Sequence, residues 1–275
     1  MKKNVGKLLL GITAAVAVPL YLSLPGAATP RQKAPFLGVN YAHRGLHSRD
    51  KSVPENSLAA FTLAARAGYG VELDVQLSKD GQVVVFHDAT LTRVCGLDKR
   101  VEELTLAELK MLRLCGTEQR IPLLSEALKA IHGAGPLIVE LKSGKRDREL
   151  CEKTYAILEQ YRGEVCIESF DPFIVAWFRF HARDLVRGQL ASPVKEYTRD
   201  GMAKPMAFAL SHNLFNPITR PQFIAYKIGC RPLNVRLTEA LGAMRFGWTS
   251  HEPRNEKGRD GVIFEFYKPK LKFKS

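Results

Sequence analysis

Short apolar runs alternate with segments of helical spacing along most of this 275-residue chain. The apolar runs have the length of β-strands, and a chain that alternates such runs with helices is typical of a parallel sheet joined by crossover helices. We predict strands at residues 39–42, 71–77, 83–86, 137–142, 164–170, 185–190, 223–225, 244–248 and 261–265. We predict helices at residues 57–67, 106–112, 125–131 and 205–215.

The first 33 residues differ from the rest of the chain. Lys2, Lys3 and Lys7 precede an uncharged, largely apolar segment at residues 8–24. This segment is just long enough to span a bilayer, while the small residues at 26–28 offer a cleavage site for a signal peptide. We therefore divide the chain into residues 1–33, a membrane anchor or signal segment, and residues 34–275, the folded domain. Because leading lysines stay in the cytoplasm, we expect a single-pass cell-membrane protein with an extracytoplasmic domain, or a secreted protein if the segment is cleaved.

The folded domain has the size of one barrel. Roughly 240 residues follow the N-terminal segment, close to the ~250 typical of a (β/α)8 barrel. Residues 90–120 interrupt the alternation of strands and helices. We therefore predict an α/β fold: a (β/α)8 barrel with a short insertion after the second strand, preceded by an N-terminal hydrophobic helix.

The net charge of +13 is concentrated at the two ends of the chain. Five lysines or arginines lie in the first 33 residues, and four lysines lie at residues 268–274. The lysine-rich tail fits either an anionic surface or a solvated terminus. The rest of the chain has no basic patch with interleaved aromatic residues, so we expect no nucleic-acid partner.

Carboxylates share a face in two of the predicted strands. Residues 71–77 alternate apolar and polar side chains, so Glu72 and Asp74 point to the same side of the sheet. Glu140 and Lys142 share a face of a later strand for the same reason. Carboxylate oxygens suit a hard divalent cation such as Ca²⁺ or Mg²⁺, which Glu72, Asp74 and Glu140 could hold together. The alternative for the later strand is an internal ion pair between Glu140 and Lys142.

Two histidines lie at strand ends in the same region. His43, with Arg44 beside it, follows the first predicted strand, and His87 follows the run at 83–86. An isolated histidine is more often a hydrogen-bonded structural residue than a catalyst. The convergence of histidines, an arginine and paired carboxylates within about fifty residues nevertheless indicates a functional site.

The motifs HRG at residues 43–45, PENS at 54–57, ELDVQLSKDGQVVVFHD at 72–88 and VELK at 139–142 occur in this order. Together they resemble the glycerophosphodiester phosphodiesterase family, over about residues 36–267 and most strongly in the first half. The resemblance implies a TIM barrel with a small insertion at its mouth. It also implies a metal-dependent site that cleaves a phosphodiester next to glycerol.

The resemblance assigns roles to individual residues. His43 and His87 would be the catalytic acid and base, in an order that stays open. Arg44 offers a planar pair of donors for phosphate oxygens, and Lys142 adds a point charge. A divalent cation, Ca²⁺ or Mg²⁺, would serve as Lewis acid on the ligands Glu72, Asp74 and Glu140.

Further residues are expected beside the substrate. Glu55 and Asn56 of the PENS motif would orient the site, Phe170 lies in an SFD segment after the fourth strand, and Trp248 would line the glycerol side. Glu265 stands where an aspartate is more usual in the family, which bears on the leaving-group side of the pocket.

The expected function is therefore metal-dependent hydrolysis of glycerophosphodiesters to glycerol 3-phosphate and an alcohol. One alternative is phospholipase D-like hydrolysis of lysophospholipids, favoured by the N-terminal segment and the apolar residues at 208–215. A second is non-catalytic binding of glycerophosphate polymers. A binding protein would have no need of a paired acid and base.

Overall fold

The computed structural model describes residues 18–273, and its centre is a closed barrel of parallel strands. The strands are β1 (Val39–Ala42), β2 (Gly70–Leu77), β3 (Val83–Val85), β4 (Leu137–Leu141), β5 (Val165–Ser169), β6 (Val186–Ala191), β7 (Phe223–Lys227), β8 (Met244–Ser250) and β9 (Gly261–Phe264). Neighbouring strands follow the order β1-β9-β8-β7-β6-β5-β4-β2, and the pairing of β1 with β2 closes the ring. β3 stands outside the ring, paired antiparallel with the end of β2. The predicted (β/α)8 barrel is thereby confirmed.

The side chains of the barrel strands alternate between two hydrophobic cores, as the period of two requires. On β2, Val71 and Leu73 pack outward into the core between the sheet and the helices. On β1, Val39 and Tyr41 point into the barrel and join the inner core. Residues with the parity of Tyr41 or of Glu72 therefore face the interior, where polar side chains meet near the carboxyl ends of the strands.

Residues 18–23 are helical, and eleven further helices follow among the described residues. They are α1 (Pro30–Lys33), α2 (Leu58–Ala67), α3 (Thr92–Cys95), α4 (Leu106–Met111), α5 (Leu124–Ile131), α6 (Asp147–Leu158), α7 (Pro172–His181), α8 (Val194–Arg199), α9 (Lys204–Ser211), α10 (Asn216–Thr219) and α11 (Leu233–Ala240), with 3₁₀ turns at Ala34–Phe36, Val101–Glu103, Leu114–Gly116 and Pro253–Glu256. Helix α2 begins at Leu58 because the Ser57 side chain caps it by accepting from the Ala60 amide. Helix α9 ends earlier than predicted, since Asn213 adopts a left-handed conformation that a helix does not continue.

The predicted insertion lies between β3 and β4 and has a hydrophobic core of its own. Leu91, Val101 and Leu109 of the insertion are buried together with Val84 and Phe86. Phe86 directly precedes His87. The packing of the insertion therefore fixes the chain that presents His87.

The described part of the N-terminal segment contacts the barrel at the amino ends of the strands. Asn216 donates to the carbonyls of Leu22 and Leu24, and Arg220 donates to those of Tyr21 and Leu24. Between residues 18 and 273, no helix is long and apolar enough to cross a membrane. Most of the predicted span at residues 8–24 lies outside the described residues, so the N-terminal helix and the boundary at residue 33 stay predictions.

Candidate active site

Three buried glutamates converge inside the barrel. Glu72 of β2, Glu140 of β4 and Glu168 of β5 each place a carboxylate oxygen within 4.8 Å of the others. Burial, together with the charges of neighbouring carboxylates, raises the pKa of Glu72 and of Glu168 well above the usual value. Burial also raises the pKa of Glu140, against the effect of Lys142. Three such groups in one place are stabilised as anions by a cation between them.

This carboxylate group fits the divalent cation that the resemblance implies. Glu168 Oε2 is buried without a hydrogen-bond partner among the described residues, and all the available donors are hard oxygens, which suit Ca²⁺ or Mg²⁺. Glu168 was not among the residues that we predicted from the sequence, although its strand has the same alternation as β2. Cys166, Glu168 and Phe170 alternate with apolar Ile167 in the same way as the residues of β2.

Asp74, which we predicted as a cation ligand, lies beside this group and is paired with Lys142 and Asn56. Asn56 Nδ2 donates to Asp74 Oδ2 at 2.8 Å, and Lys142 Nζ lies 2.8 Å from Asp74 Oδ1. Lys142 Nζ also lies 2.6 Å from Glu140 Oε1. Burial acts to raise the pKa of Asp74, but Lys142, His87 and Arg44 hold it well below the usual value. The alternative Glu140–Lys142 ion pair thus exists, and it includes Asp74; ligation of a cation by Asp74 stays a prediction.

Arg44 occupies a strained turn directly after β1. Its φ of 53° is unusual for a residue with a side chain and costs on the order of 1 kcal/mol or more. Its amide donates to Glu72 Oε2 at 2.8 Å, and its Nη1 donates to Glu55 Oε1 at 2.7 Å. The next residue, Gly45, lies so close to helix α2 that an added Cβ would be 2.8 Å from the Cβ of Ala60. Close packing therefore fixes the guanidinium at the site.

His43 is held by a carboxylate from the neighbouring strand end. Its Nδ1 lies 3.0 Å from Glu265 Oε2, and His47 Nε2 lies 3.4 Å from the same oxygen. Burial lowers the pKa of His43 to about 4, although Glu265 acts to raise it. His43 is therefore neutral at neutral pH.

His87 is held by the carboxylate next to it in sequence. Its Nδ1 lies 2.6 Å from Asp88 Oδ1. Arg93 of the insertion donates to Asp88 Oδ2 at 2.6 Å and to both oxygens of Glu55 at 2.7 Å. Because Glu55 also accepts from Arg44, one arginine of the insertion links the supports of His87 and Arg44.

These groups open on one cavity of about 110 Å³. Its lining includes both histidines, Arg44 and the three glutamates, together with Phe170 and Trp248. The rings of Phe170 and Trp248 meet edge to face with centroids 5.5 Å apart. Glu55 and Asn56 are bonded to Arg44 and Asp74. The cavity therefore combines strongly polar groups with two aromatic rings.

Comparison with known proteins shows which family this chain resembles. The Glycerophosphoryl diester phosphodiesterase family matches residues 43–267. The chain is 32% identical over 247 residues to a glycerophosphodiester phosphodiesterase of Caldanaerobacter subterraneus subsp. tengcongensis, covering 81% of this chain and 91% of that protein. It is 34% identical over 158 residues to a lysophospholipase D of Rattus norvegicus, covering 53% of this chain and 48% of that protein.

A solved structure has the same fold. A phosphodiesterase of Oleispira antarctica, in complex with the product sn-glycerol-3-phosphate, aligns with a TM-score of 0.68 at 26% identity, covering 84% of this chain and 94% of that one. The family match spans the motifs at residues 43–45, 54–57, 72–88 and 139–142 and includes both strand-end histidines. The chain belongs to the glycerophosphoryl diester phosphodiesterase family and is a phosphoric diester hydrolase.

Proposed function

We propose that this enzyme hydrolyses glycerophosphodiesters to glycerol 3-phosphate and an alcohol, with a divalent cation and two histidines at one site. The observation that supports this most directly is the cavity itself, where His43, His87 and Arg44 stand beside the three buried glutamates. The Oleispira antarctica structure, with glycerol 3-phosphate as its product, supports the identity of the phosphate product.

Glu72, Glu140 and Glu168 would hold the cation, with Asp74 as the further candidate ligand. The cation supplies Lewis-acid polarisation of the phosphoryl oxygens when it is bound. Arg44 binds phosphate oxygens through its planar fork. Lys142, paired with Asp74 and Glu140, adds positive charge where negative charge grows in the transition state.

The proton transfers fall to the two histidines. We assign His43 as the base, since its pKa of about 4 keeps it neutral and able to take the proton of the attacking hydroxyl. His87 then donates a proton to the leaving alkoxide oxygen, so the proton lost on one side of phosphorus is replaced on the other. Asp88 bonds to His87 Nδ1, which leaves Nε2 as the nitrogen for this transfer.

A second candidate substrate is a lysophospholipid. The aromatic side chains of Phe170 and Trp248 in the cavity lining would tolerate an acyl chain. The relative from Rattus norvegicus is named a lysophospholipase D, and the match covers 48% of its length.

One experiment separates these functions. The purified full chain is treated with EDTA, supplied with Ca²⁺, Mg²⁺ or Mn²⁺, and offered glycerophosphocholine or a long-chain lysophosphatidylcholine. Cation-dependent release of glycerol 3-phosphate from glycerophosphocholine supports the main proposal. Preference for the lysolipid, with choline release, supports the second. A folded protein that is inactive on both, with each cation, contradicts a hydrolytic role on these lipid-derived diesters and leaves polymer binding as the candidate.

We further propose that residues 8–24 anchor the protein in the cell membrane, with the barrel extracytoplasmic. The carboxyl end of this segment, at Tyr21 and Leu22, accepts hydrogen bonds from Arg220 and Asn216 at the amino ends of the strands, whereas the cavity lies near the carboxyl ends. An anchor so placed would point the cavity away from the bilayer. Membrane fractionation of cells, with and without residues 1–17, tests this: a barrel that stays in the soluble fraction when the segment is present and uncleaved contradicts it.

A further inference from the structure

Glu265 is surrounded by histidines. Its Oε2 lies 3.0 Å from His43 Nδ1 and 3.4 Å from His47 Nε2, and its Oε1 lies 3.8 Å from His251 Nε2. The side chains of His43 and Glu265 are each less than one-fifth exposed. The contacts with His43 and His47 hold the pKa of Glu265 below its usual range, although burial acts to raise it. Glu265 is therefore an anion at neutral pH.

The barrel places this anion against His43 through its main chain. Ala42 of β1 is paired with Phe264 of β9, and the amide of His43 donates to the Phe264 carbonyl at 2.9 Å. The amide of Glu265 is bonded in turn to the Ser250 carbonyl of β8. His43 and Glu265 thus directly follow adjacent strands at the same register, and the alternation of side chains directs both toward the barrel interior.

His47 adds an independent observation. Its side chain is only 8% exposed, and its Nε2 has no hydrogen-bond partner among the described residues. The ring packs edge to face on Phe266, with centroids 4.9 Å apart. Phe266 itself has a φ of 61°, a conformation that persists only when its surroundings impose it. The contact of this buried ring nitrogen with Glu265 Oε2, at 3.4 Å, persists only if the carboxylate keeps this position.

We propose that Glu265 is a positioning residue for His43, and that His47 holds Glu265 in place. The carboxylate accepts the Nδ1 proton of His43, so that Nε2 is the nitrogen presented to the phosphodiester. This inference rests on the proposed role of His43 as the base. It concerns a residue that the motifs at residues 43–45, 54–57, 72–88 and 139–142 do not include.

The same three side chains could instead bind a transition metal, since their ligand atoms lie within 4.8 Å of one another. The geometry favours the hydrogen bond. His43 Nδ1 and Glu265 Oε2 already meet at a normal hydrogen-bond length of 3.0 Å. His43 is also a wall of the substrate cavity, where a free ring nitrogen is needed for proton transfer. A metal at this position is therefore an outcome that the test has to exclude.

The test is a double-mutant cycle on the full chain with glycerophosphocholine. Glu265→Gln should lower kcat about hundredfold with KM changed less than about threefold, because the wrong tautomer of a catalytic histidine is costly. Glu265→Asp should recover part of that loss. In the His43→Ala background, Glu265→Gln should have no further effect, since it acts only through His43. Glu252→Gln is the matched control and should retain the wild-type kcat, since the Glu252 side chain is 41% exposed and pairs with Arg254.

Each other outcome has a distinct meaning. If His43→Ala keeps the wild-type rate, the proposed function fails. If His43→Ala is impaired but Glu265→Gln is not, or if the two losses multiply in the double variant, only the positioning role fails.

Two measurements need no activity. Ring ¹⁵N shifts of the wild-type protein should show His43 protonated at Nδ1 and not at Nε2; the opposite tautomer overturns the inference even if the variants fail to fold. Binding of one equivalent of Zn²⁺ or Co²⁺ that His47→Gln and Glu265→Gln abolish, and Glu168→Gln does not, also overturns it in favour of a metal site.

Discussion

The two histidines of the cavity are supported in opposite ways. His43 pairs with Glu265, 222 positions away in the chain, and both side chains are less than one-fifth exposed. His87 pairs with Asp88, the next residue, and its side chain is 31% exposed. The first pair requires that β1 and β9 meet when the barrel closes. The second is local, but its carboxylate is fixed by Arg93 from the insertion.

The two histidine pairs of this candidate site therefore depend on different parts of the fold. The His43 pair is a product of barrel topology and is protected from solvent, so any change at the meeting of β1 and β9 reaches it. The His87 pair depends on a small hydrophobic core outside the barrel and on one arginine that also binds Glu55. We therefore expect the two pairs to respond differently to the changes below.

Removing either histidine should have the largest effect. His43→Ala and His87→Ala should each lower kcat about hundredfold or more, because each loses one proton transfer. Release of glycerol 3-phosphate measures the loss, and circular dichroism shows whether the fold is kept. Wild-type turnover in either folded variant would remove that histidine from the mechanism.

Removing the proposed cation ligand Glu168 should weaken cation binding without changing either histidine pair. Glu168→Gln should weaken the activating cation about tenfold or more, and excess cation should restore kcat, since the change leaves both histidine pairs intact. Cation titrations of activity measure this. Unchanged cation affinity would exclude Glu168 as a ligand. The variant should also make the metal-free protein more stable, because it removes a buried carboxylate that lacks a hydrogen bond.

Removing the support of the His87–Asp88 pair should lower kcat by an intermediate amount, and excess cation should not restore it. Arg93→Gln breaks the bonds to Asp88 and Glu55, and we expect kcat to fall about tenfold, within the range for groups that orient a catalytic residue. Arg100→Gln is a matched control, since Arg100 lies in the same insertion with a similarly exposed side chain and pairs with Glu102. Equal losses in the two variants would mean that Arg93 acts only on the stability of the insertion.

The burial of His43 should also be visible as a pH dependence of stability. Its pKa falls from 6.5 to about 4 on folding, so between these values the unfolded chain binds a proton that the folded protein does not. Stability should therefore decrease as pH falls from 6.5 to 4, by at most about 3 kcal/mol from this group. Subtracting the unfolding curves of His43→Gln from those of the wild type, both in EDTA, isolates the contribution. Parallel curves over this range would show that His43 is not desolvated as described.

The smallest effect is expected at His251. Its side chain is 57% exposed, and its Nε2 lies 3.8 Å from Glu265, which is beyond hydrogen-bond length. His251→Gln should change kcat less than about twofold, whereas His47→Gln should cost more. A larger loss at His251 would mean that the exposed side of Glu265 matters more than its buried contacts.

Much of this site could be predicted because it depends on local sequence patterns. The alternation in residues 71–77 placed Glu72 and Asp74 on the same face of the strand, and the strand-end positions of His43 and His87 indicated a functional site. Glu168 could have been found by the same alternation around Cys166 and Phe170. The grouping of the carboxylates could not be predicted in this way. Glu168 lies with Glu72 and Glu140, while Asp74 is paired with Lys142 and Asn56. Local period gives the face of a strand, and the barrel decides which neighbours share it.

The sequence by itself determined the alternating strands and helices, the family motifs and the side chains that share a face of a strand, because each depends on spacing along the chain. Only the tertiary structure decided that Glu265 supports His43, that Arg93 links Asp88 to Glu55, and that Glu168 completes the carboxylate group. These are contacts between side chains on different strands or loops. Barrel closure brings them within hydrogen-bond distance, and no periodicity in the chain encodes that distance.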